Sequence, residues 1–470
     1  MDRLDLSTRG WWSGIGLGLL GAALPLPAWG DGGGERPPNV LFIAIDDLRA
    51  QPVGAVRHRP MLTPNIDRLA AEGRMFHQHF VQAPTCGASR YALLTGQYPR
   101  RAESWDNIAF HLYRQGHAPK SMPQWFREAG YHTVQTGKIS HEPDGKPDDP
   151  ELPGAWDRFE TPHGEWGSAW NAFFGYADGR TRTRGRSPAT DGPGVDVPDT
   201  GYPDGLLADA AVDVLKELQA GDQPFFYAVG FYKPHLPFNA PKKYWDLYDR
   251  DAIDISFVEP LTRGGGEVWH NYGHTEAQAN DPDYQRLLLH AYYAATSYVD
   301  AQVGQLLDAV DELGLRDSTV VVLWSDHGFH LGELGIWGKH TLRDYSLQSP
   351  FILRVPGMAQ PGVGTDAVIS SIDIYPTLVE LAGLPSPDHL DGHSVAAAVA
   401  DPAADPVGYA LGFWRDRYTL RTAGYRLLDN RLYDHATDPG ERHDVAAEQP
   451  EVVQRLQAQR DRLLANRKAR

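Results

Sequence analysis

Three uninterrupted apolar runs of strand length, each closed by a polar cluster, constrain the fold of this chain more than any other feature. Residues 39–45 read Asn-Val-Leu-Phe-Ile-Ala-Ile and end in Asp46 and Asp47. Residues 318–324 carry Val320, Val321, Val322 and Leu323 and end in Ser325, Asp326, His327 and Gly328. Residues 224–230 read Pro-Phe-Phe-Tyr-Ala-Val-Gly and lead into Lys233, Pro234 and His235. A strand without polar alternation is buried on both faces, so the sheet needs helices on either side. Helical periodicity in 65–72, 205–219, 284–313 and 374–382 supplies them, and the alternation of strand and helix predicts an α/β fold. Polar clusters at the C-terminal ends of such strands stand where open α/β sheets place their ligands.

The 470 residues accommodate one large α/β domain and a smaller appendage. Residues 143–203 are rich in Gly, Pro, Asp and Arg and predict an irregular insertion with little sheet. Its Arg180, Arg182, Arg184 and Arg186 read as a solvated loop, with contact to an anionic glycan as the alternative. Residues 402–406 read as a linker. Beyond it, short strand-like pieces at 409–413, 418–422, 425–428 and 431–433 precede a helix from Glu451, which predicts a small antiparallel sheet with one helix. The expected boundaries are 38–400 for the catalytic domain and 407–470 for the C-terminal subdomain. Residues 1–30, with Arg3 and Arg9 before an apolar stretch and Ala28-Trp-Gly30 after it, read as a secretory signal peptide. An exported protein, periplasmic or extracellular, is therefore expected, with no stable membrane span after cleavage.

A formal net charge of -17 argues against nucleic acid as a partner, because such surfaces need a basic footprint. An anionic ligand would need a local cationic pocket instead. Cys86 is the only cysteine, so no intrachain disulfide forms. A lone cysteine is ordinarily a small buried hydrophobe.

The neighbours of Cys86 give it another reading. Ala83-Pro-Thr-Cys86-Gly-Ala-Ser-Arg90-Tyr-Ala-Leu-Leu-Thr-Gly96 resembles the sulfatase signature, with Ala88 where that signature has proline. The resemblance continues in the family's order through Gly137-Lys138-Ile-Ser-His141, Lys233-Pro-His235-Leu-Pro, Asp326-His327-Gly and Gly332-Glu-Leu-Gly-Ile-Trp-Gly-Lys339. It covers nearly all of 38–446 and its wording is closest to iduronate-2-sulfatase-like enzymes of the alkaline-phosphatase-like superfamily.

The resemblance implies a large mixed sheet between helices and a sulfate ester hydrolase. It implies that a maturase converts Cys86 to formylglycine; alanine at position 88 is a residue that the radical maturases of this family accept. In the hydrated aldehyde one hydroxyl attacks sulfur and loss of the other's proton expels sulfate, a nucleophile that releases itself. Asp46, Asp47, Asp326 and His327, with residue 86, resemble the metal ligands, and their hard oxygens favour calcium or magnesium over zinc, with calcium the expected ion ahead of magnesium. Arg90 would hold the hydrate or the carboxylates, Lys138 and His235 the sulfate, and Lys339 the sulfate near the leaving oxygen. His141 would take the proton that lets sulfate leave, and His235 or Lys339 would protonate the departing alcohol. A sulfated small molecule or glycan is the expected partner, with Trp166, Trp170, Trp414 and Arg415 as candidate contacts beyond the sulfate. Two other readings stay open at this point: a phosphodiesterase or phosphonate hydrolase of the same superfamily, and a non-catalytic binder of sulfated glycans.

Overall fold

The computed structural model describes residues 36–50, 61–183, 189–260 and 276–469. The signal-peptide reading of 1–30, Arg184 and Arg186 lie outside the described residues. The strands are β1 Asn39–Asp46, β2 Arg74–Phe80, β3 His132–Gly137, β4 Arg158–Glu160, β5 Phe225–Pro234, β6 Thr319–Ser325, β7 His330–Leu331, β8 Trp337–Gly338, β9 Phe351–Arg354 and β10 Thr365–Ser370. Eight of them form one sheet in the order β10-β2-β9-β6-β1-β5-β3-β4, while β7 and β8 pair separately. Strand β9 runs antiparallel to β2 and β6, and all other neighbours in the large sheet are parallel, so the sheet is mixed.

The unbroken apolar runs occupy the centre. Every residue of β1, β5 and β6 is buried. Period-two alternation sends Val40, Phe42 and Ala44 into the core on one face and Leu41, Ile43 and Ile45 into the core on the other. The longer helices are α1 Pro64–Glu72, α2 Cys86–Thr95, α3 Met122–Glu128, α4 Pro203–Gln219, α5 Pro282–Glu312, α6 Ile374–Leu381 and α7 Pro450–Ala469. The first core takes side chains from α2, α3 and α6, and the second from α1, α4 and α5. This two-sided cover is what the unalternating strands require.

Strands β2 and β3 escape the apolar pattern because they carry His, Gln and Thr. They are nonetheless largely buried, because those groups find partners inside. The two ring nitrogens of His79 lie 3.0 Å from the Ser349 carbonyl and 2.9 Å from Ser371 Oγ. Thr136 Oγ1 and Tyr227 Oη are 2.8 Å apart, and Gln135 donates to the Gly137 carbonyl.

The C-terminal strands β11 Tyr409–Trp414, β12 Arg417–Thr422, β13 Tyr425–Leu428 and β14 Arg431–Asp434 form an antiparallel meander. Its Leu411, Phe413, Leu420, Leu427 and Leu432 pack with Ala92 of α2, Tyr98 and Ile372. The small sheet thus shares a core with the helix that begins at Cys86. Among the described residues, no helix is long and apolar enough to cross a membrane.

Candidate active site

Because β1 lies between β5 and β6, the polar residues at their C-terminal ends meet. The Asp326 amide donates to the Ile45 carbonyl at 3.3 Å, and the Asp47 amide donates to Asp326 Oδ1 at 3.1 Å. Asp47 takes a left-handed backbone (φ 63°), which aspartate tolerates better than most residues, and this turns the chain directly beyond the strand. Helix α2 brings Cys86 to the same edge, with Arg90 one turn later on the same face.

Cys86 Sγ lies 3.5 Å from Asp46 Oδ1, 3.4 Å from His327 Nε2 and 3.0 Å from Lys339 Nζ. Arg90 donates from Nε to Asp326 Oδ2 at 2.9 Å, approaches Asp46 Oδ2 at 3.5 Å, and also binds the Lys138 and Ile139 carbonyls. Lys138 pairs with Asp46, and Lys339 Nζ reaches Asp47 Oδ1 at 2.6 Å. His327 Nδ1 faces the Gly328 carbonyl at 3.0 Å. A carbonyl only accepts, so the proton sits on Nδ1 and the Nε2 lone pair faces the cluster.

These groups are buried and strongly coupled by charge. Burial opposes ionisation of Asp46, but Lys138, His235, Arg90 and Lys339 outweigh it and hold its carboxyl well below the usual range. Burial pushes Asp47 well above that range; Asp46 and Asp326 add to the rise and Lys339 opposes it. Burial also raises the Cys86 thiol and lowers His327 to about 4.

The donor set fits a hard divalent cation. Ligand atoms of Asp46, Cys86, Asp326 and His327 lie within 4.8 Å of one another, as do those of Asp46, Asp47 and His235. Asp47 Oδ2 is buried with no hydrogen-bond partner. Three carboxylates packed this closely, one with an orphaned oxygen, match the oxygen-rich shell that such a cation takes.

A second group of residues faces the same centre from β3, β5 and the insertion. Gly137, at φ 68°, ends β3; a Cβ there would stand 2.2 Å from the Gly230 carbonyl oxygen, so only glycine lets the Lys138 turn lie against β5. Phe173 forms the wall: its ring lies 4.0 Å from Lys138 Nζ and 4.4 Å from the His235 ring. His235 Nδ1 lies 2.7 Å from the Leu236 carbonyl, and burial, with Lys339 and Lys138 beside it, lowers this histidine well below the usual imidazole range against the pull of Asp46. His141 stands 5.6 Å edge-on from Trp170, with a buried Nδ1 that has no hydrogen-bond partner; burial and Lys138 lower it to about 3. The structure therefore brings together Asp46, Asp47, Cys86, Arg90, Lys138, His141, His235, Asp326, His327 and Lys339.

Two contributors had no role in the sequence reading. Phe173 sits in an irregular stretch with no motif to mark it. Lys233 stood inside a quoted motif; its buried ammonium donates to the His235 and Pro237 carbonyls at 3.1 and 2.8 Å, which braces the turn carrying His235. Of the candidate substrate contacts, Trp166 is buried and donates to the Tyr176 carbonyl, a packing role. Trp414 is also buried, stacked at 4.8 Å on His340, with Arg415 over its ring at 5.3 Å. Arg180 pairs with Asp178 at the surface, and Arg182 is buried. A separate cavity of about 620 Å³ between β2 and the C-terminal sheet contains none of the site residues.

Comparison with known proteins accords with this architecture. The sulfatase family model matches residues 38–384, and the model of the N-sulphoglucosamine sulphohydrolase C-terminal region matches 332–469. A sulfatase of Formosa agariphila is 31% identical over 437 residues, covering 86% of this chain and 82% of the relative. Iduronate 2-sulfatase of Homo sapiens is 31% identical over 390 residues, covering 74% of this chain and 70% of the relative. In fold, the phosphonate monoester hydrolase of Agrobacterium radiobacter superposes with a TM-score of 0.73 at 23% identity, over 92% of this chain and 96% of the other. With a single buried cysteine beside a cluster of metal-ligand type at the strand ends, and with the family model spanning most of its length, this chain belongs to the sulfatase family of hydrolases.

Proposed function

We propose that the protein is an exported sulfatase that hydrolyses a sulfate ester on a saccharide, using formylglycine made from Cys86 and one calcium ion. The observation that carries this reading is the position of Cys86, buried at the N-terminus of α2 with Asp46, His327 and Lys339 all within 3.5 Å of its sulfur. The likeness to iduronate 2-sulfatase across three quarters of the chain supports a saccharide as the substrate class. The proposed layout is a signal peptide at 1–30, a catalytic domain at 38–400 and a C-terminal subdomain at 407–470.

Asp46, Asp47, Asp326, His327 and residue 86 would hold the calcium, which supplies charge neutralisation for the sulfate oxygens. The hydrated formylglycine supplies an oxygen nucleophile in place of the thiol. Arg90 fixes the carboxylates by its bonds to Asp326 and Asp46. Lys138, His235 and Lys339 surround the tetrahedral anion with donors, the arrangement that stabilises charge developing on it. His141 receives the proton released as sulfate departs, and Lys339 or His235 protonates the leaving alcohol.

The test begins with peptide mass spectrometry across Cys86 after co-expression with a maturase. Conversion of thiol to aldehyde, with turnover of sulfated saccharides that the Cys86→Ala variant lacks, is the expected result. Matched aryl phosphate and phosphonate esters serve as competitors, and faster hydrolysis of those would overturn the sulfatase reading in favour of a phosphorus ester. Binding without turnover in fully converted protein would leave a glycan-binding role.

A further inference from the structure

We propose that Trp170 is the platform on which the sugar ring carrying the sulfate stacks, with Glu142 beside it accepting a hydroxyl of that ring. This deepens the sulfatase reading and rests on it. Trp170 is the only aromatic residue among the exposed large hydrophobics of the described chain, at 38% exposure. It lies on the short helix Ala169–Phe173, one turn from Phe173. The ring centroids of Trp170 and Phe173 are 5.8 Å apart, and Phe173 is itself the wall against Lys138 and His235. Trp170 thus stands one aromatic ring away from Lys138 and His235, a distance at which the carbon ring bearing the ester would reach it.

The indole is held in place. Its Nε1 donates to Glu142 Oε2, its edge meets His141 at 5.6 Å, and it stacks on Phe174 at 6.0 Å with 14° between planes. The Glu142 amide in turn donates to the buried Glu151 at 2.7 Å. A fixed aromatic surface that stays exposed beside a polar anion pocket suits the apolar face of a pyranose, and an acidic acceptor at its edge suits sugar hydroxyls. The same carboxylate repels a carboxylate or second sulfate on that side of the ring. Trp166 and Trp414 do not qualify, because both are buried with their rings already engaged.

The experiment uses formylglycine-containing enzyme, verified by mass spectrometry, with monosulfated hexoses and hexosamines on one side and ethyl sulfate on the other. The reading is the ratio of kcat/KM for a sugar ester to that for ethyl sulfate. Trp170→Ala is expected to lower that ratio about tenfold, chiefly through KM. Trp170→Phe, which keeps a ring and the fold, is expected to recover most of it. Equal losses on both substrates, which leave the ratio unchanged, would mean that Trp170 only positions His141, and an unchanged kcat/KM on both would mean it does neither; both overturn the proposal. Turnover of ethyl sulfate alone by the parent enzyme overturns it too, while leaving the sulfatase reading standing. No turnover of any sulfate ester sinks that reading, and this inference with it.

Discussion

His79 shows how a single buried residue couples this fold to pH. Burial holds its pKa at about 4, with the Ser349 carbonyl opposing the shift. The unfolded chain binds a proton near pH 6.5 that the native state refuses until about pH 4, so the contribution of His79 to stability is complete above pH 6.5 and is lost as pH falls toward 4. Between pH 7.5 and 5 the loss amounts to about 2 kcal/mol. Chemical denaturation at the two pH values is expected to show a smaller drop for His79→Phe than for the parent, by about that amount. An identical drop would mean that His79 is protonated in the folded state. This residue also marks where residue-level reading runs out: as a letter, its histidine broke an apolar strand pattern, and only the hydroxyl and carbonyl waiting for its ring make it a core residue.

At the scale of elements, the site depends on how closely β3 can lie against β5. The Lys138 amide donates to the Gly230 carbonyl at 2.9 Å directly after Gly137. Gly137→Ala would place a Cβ 2.2 Å from that carbonyl oxygen at a backbone angle alanine disfavours. We expect a stability loss of about 1 to 3 kcal/mol and a fall of about tenfold in kcat as Lys138 moves off the site. Thermal melting and steady-state kinetics on the converted enzyme check the two parts, and an unaltered kcat would show that the turn does not position Lys138. The central strands were legible because each is one apolar run with a polar end. Strands β2, β3, β9 and β10 were not, being either short or rich in polar residues whose burial depends on partners far along the chain.

On the scale of the whole molecule, the C-terminal sheet is tied to the catalytic region by a buried charge network. Arg426 is fully buried and pairs with both Asp344 and Glu441, while Arg421 and His435 also meet Asp344. Burial would raise Glu441, but Arg426 and His435 hold it at about 2. Arg426→Met removes the one guanidinium that joins both carboxylates, leaving Asp344 to Arg421 and His435 and Glu441 to His435 and Arg343, and is expected to cost about 3 kcal/mol in a denaturant titration. A cost below about 1 kcal/mol would mean that solvent or a neighbouring arginine takes over. The carboxylates at the strand ends make a second whole-molecule prediction. Calcium at a hundredfold excess over its Kd should stabilise the fold by about 2.7 kcal/mol, with a matching rise in Tm that a chelator reverses. A Tm indifferent to both calcium and magnesium would count against a metal at this site.

The sequence alone determined the class of fold, the central strands and most long helices to within a few residues, and the set of residues that gather around Cys86. It could do so because strand burial and helical periodicity are local patterns, because Asp46, Asp47, Asp326 and His327 follow strand ends where such a sheet places its ligands, and because the motifs carrying Cys86, Arg90, Lys138, His141, His235 and Lys339 resemble those of the sulfatase family. Tertiary structure decided the rest. The strand order that sets β1 between β5 and β6, the wall that Phe173 makes, the brace supplied by Lys233, and which of three tryptophans stays exposed all depend on contacts between distant segments. Such contacts leave no periodic trace in the chain, since nothing near a residue in sequence records what will pack against it.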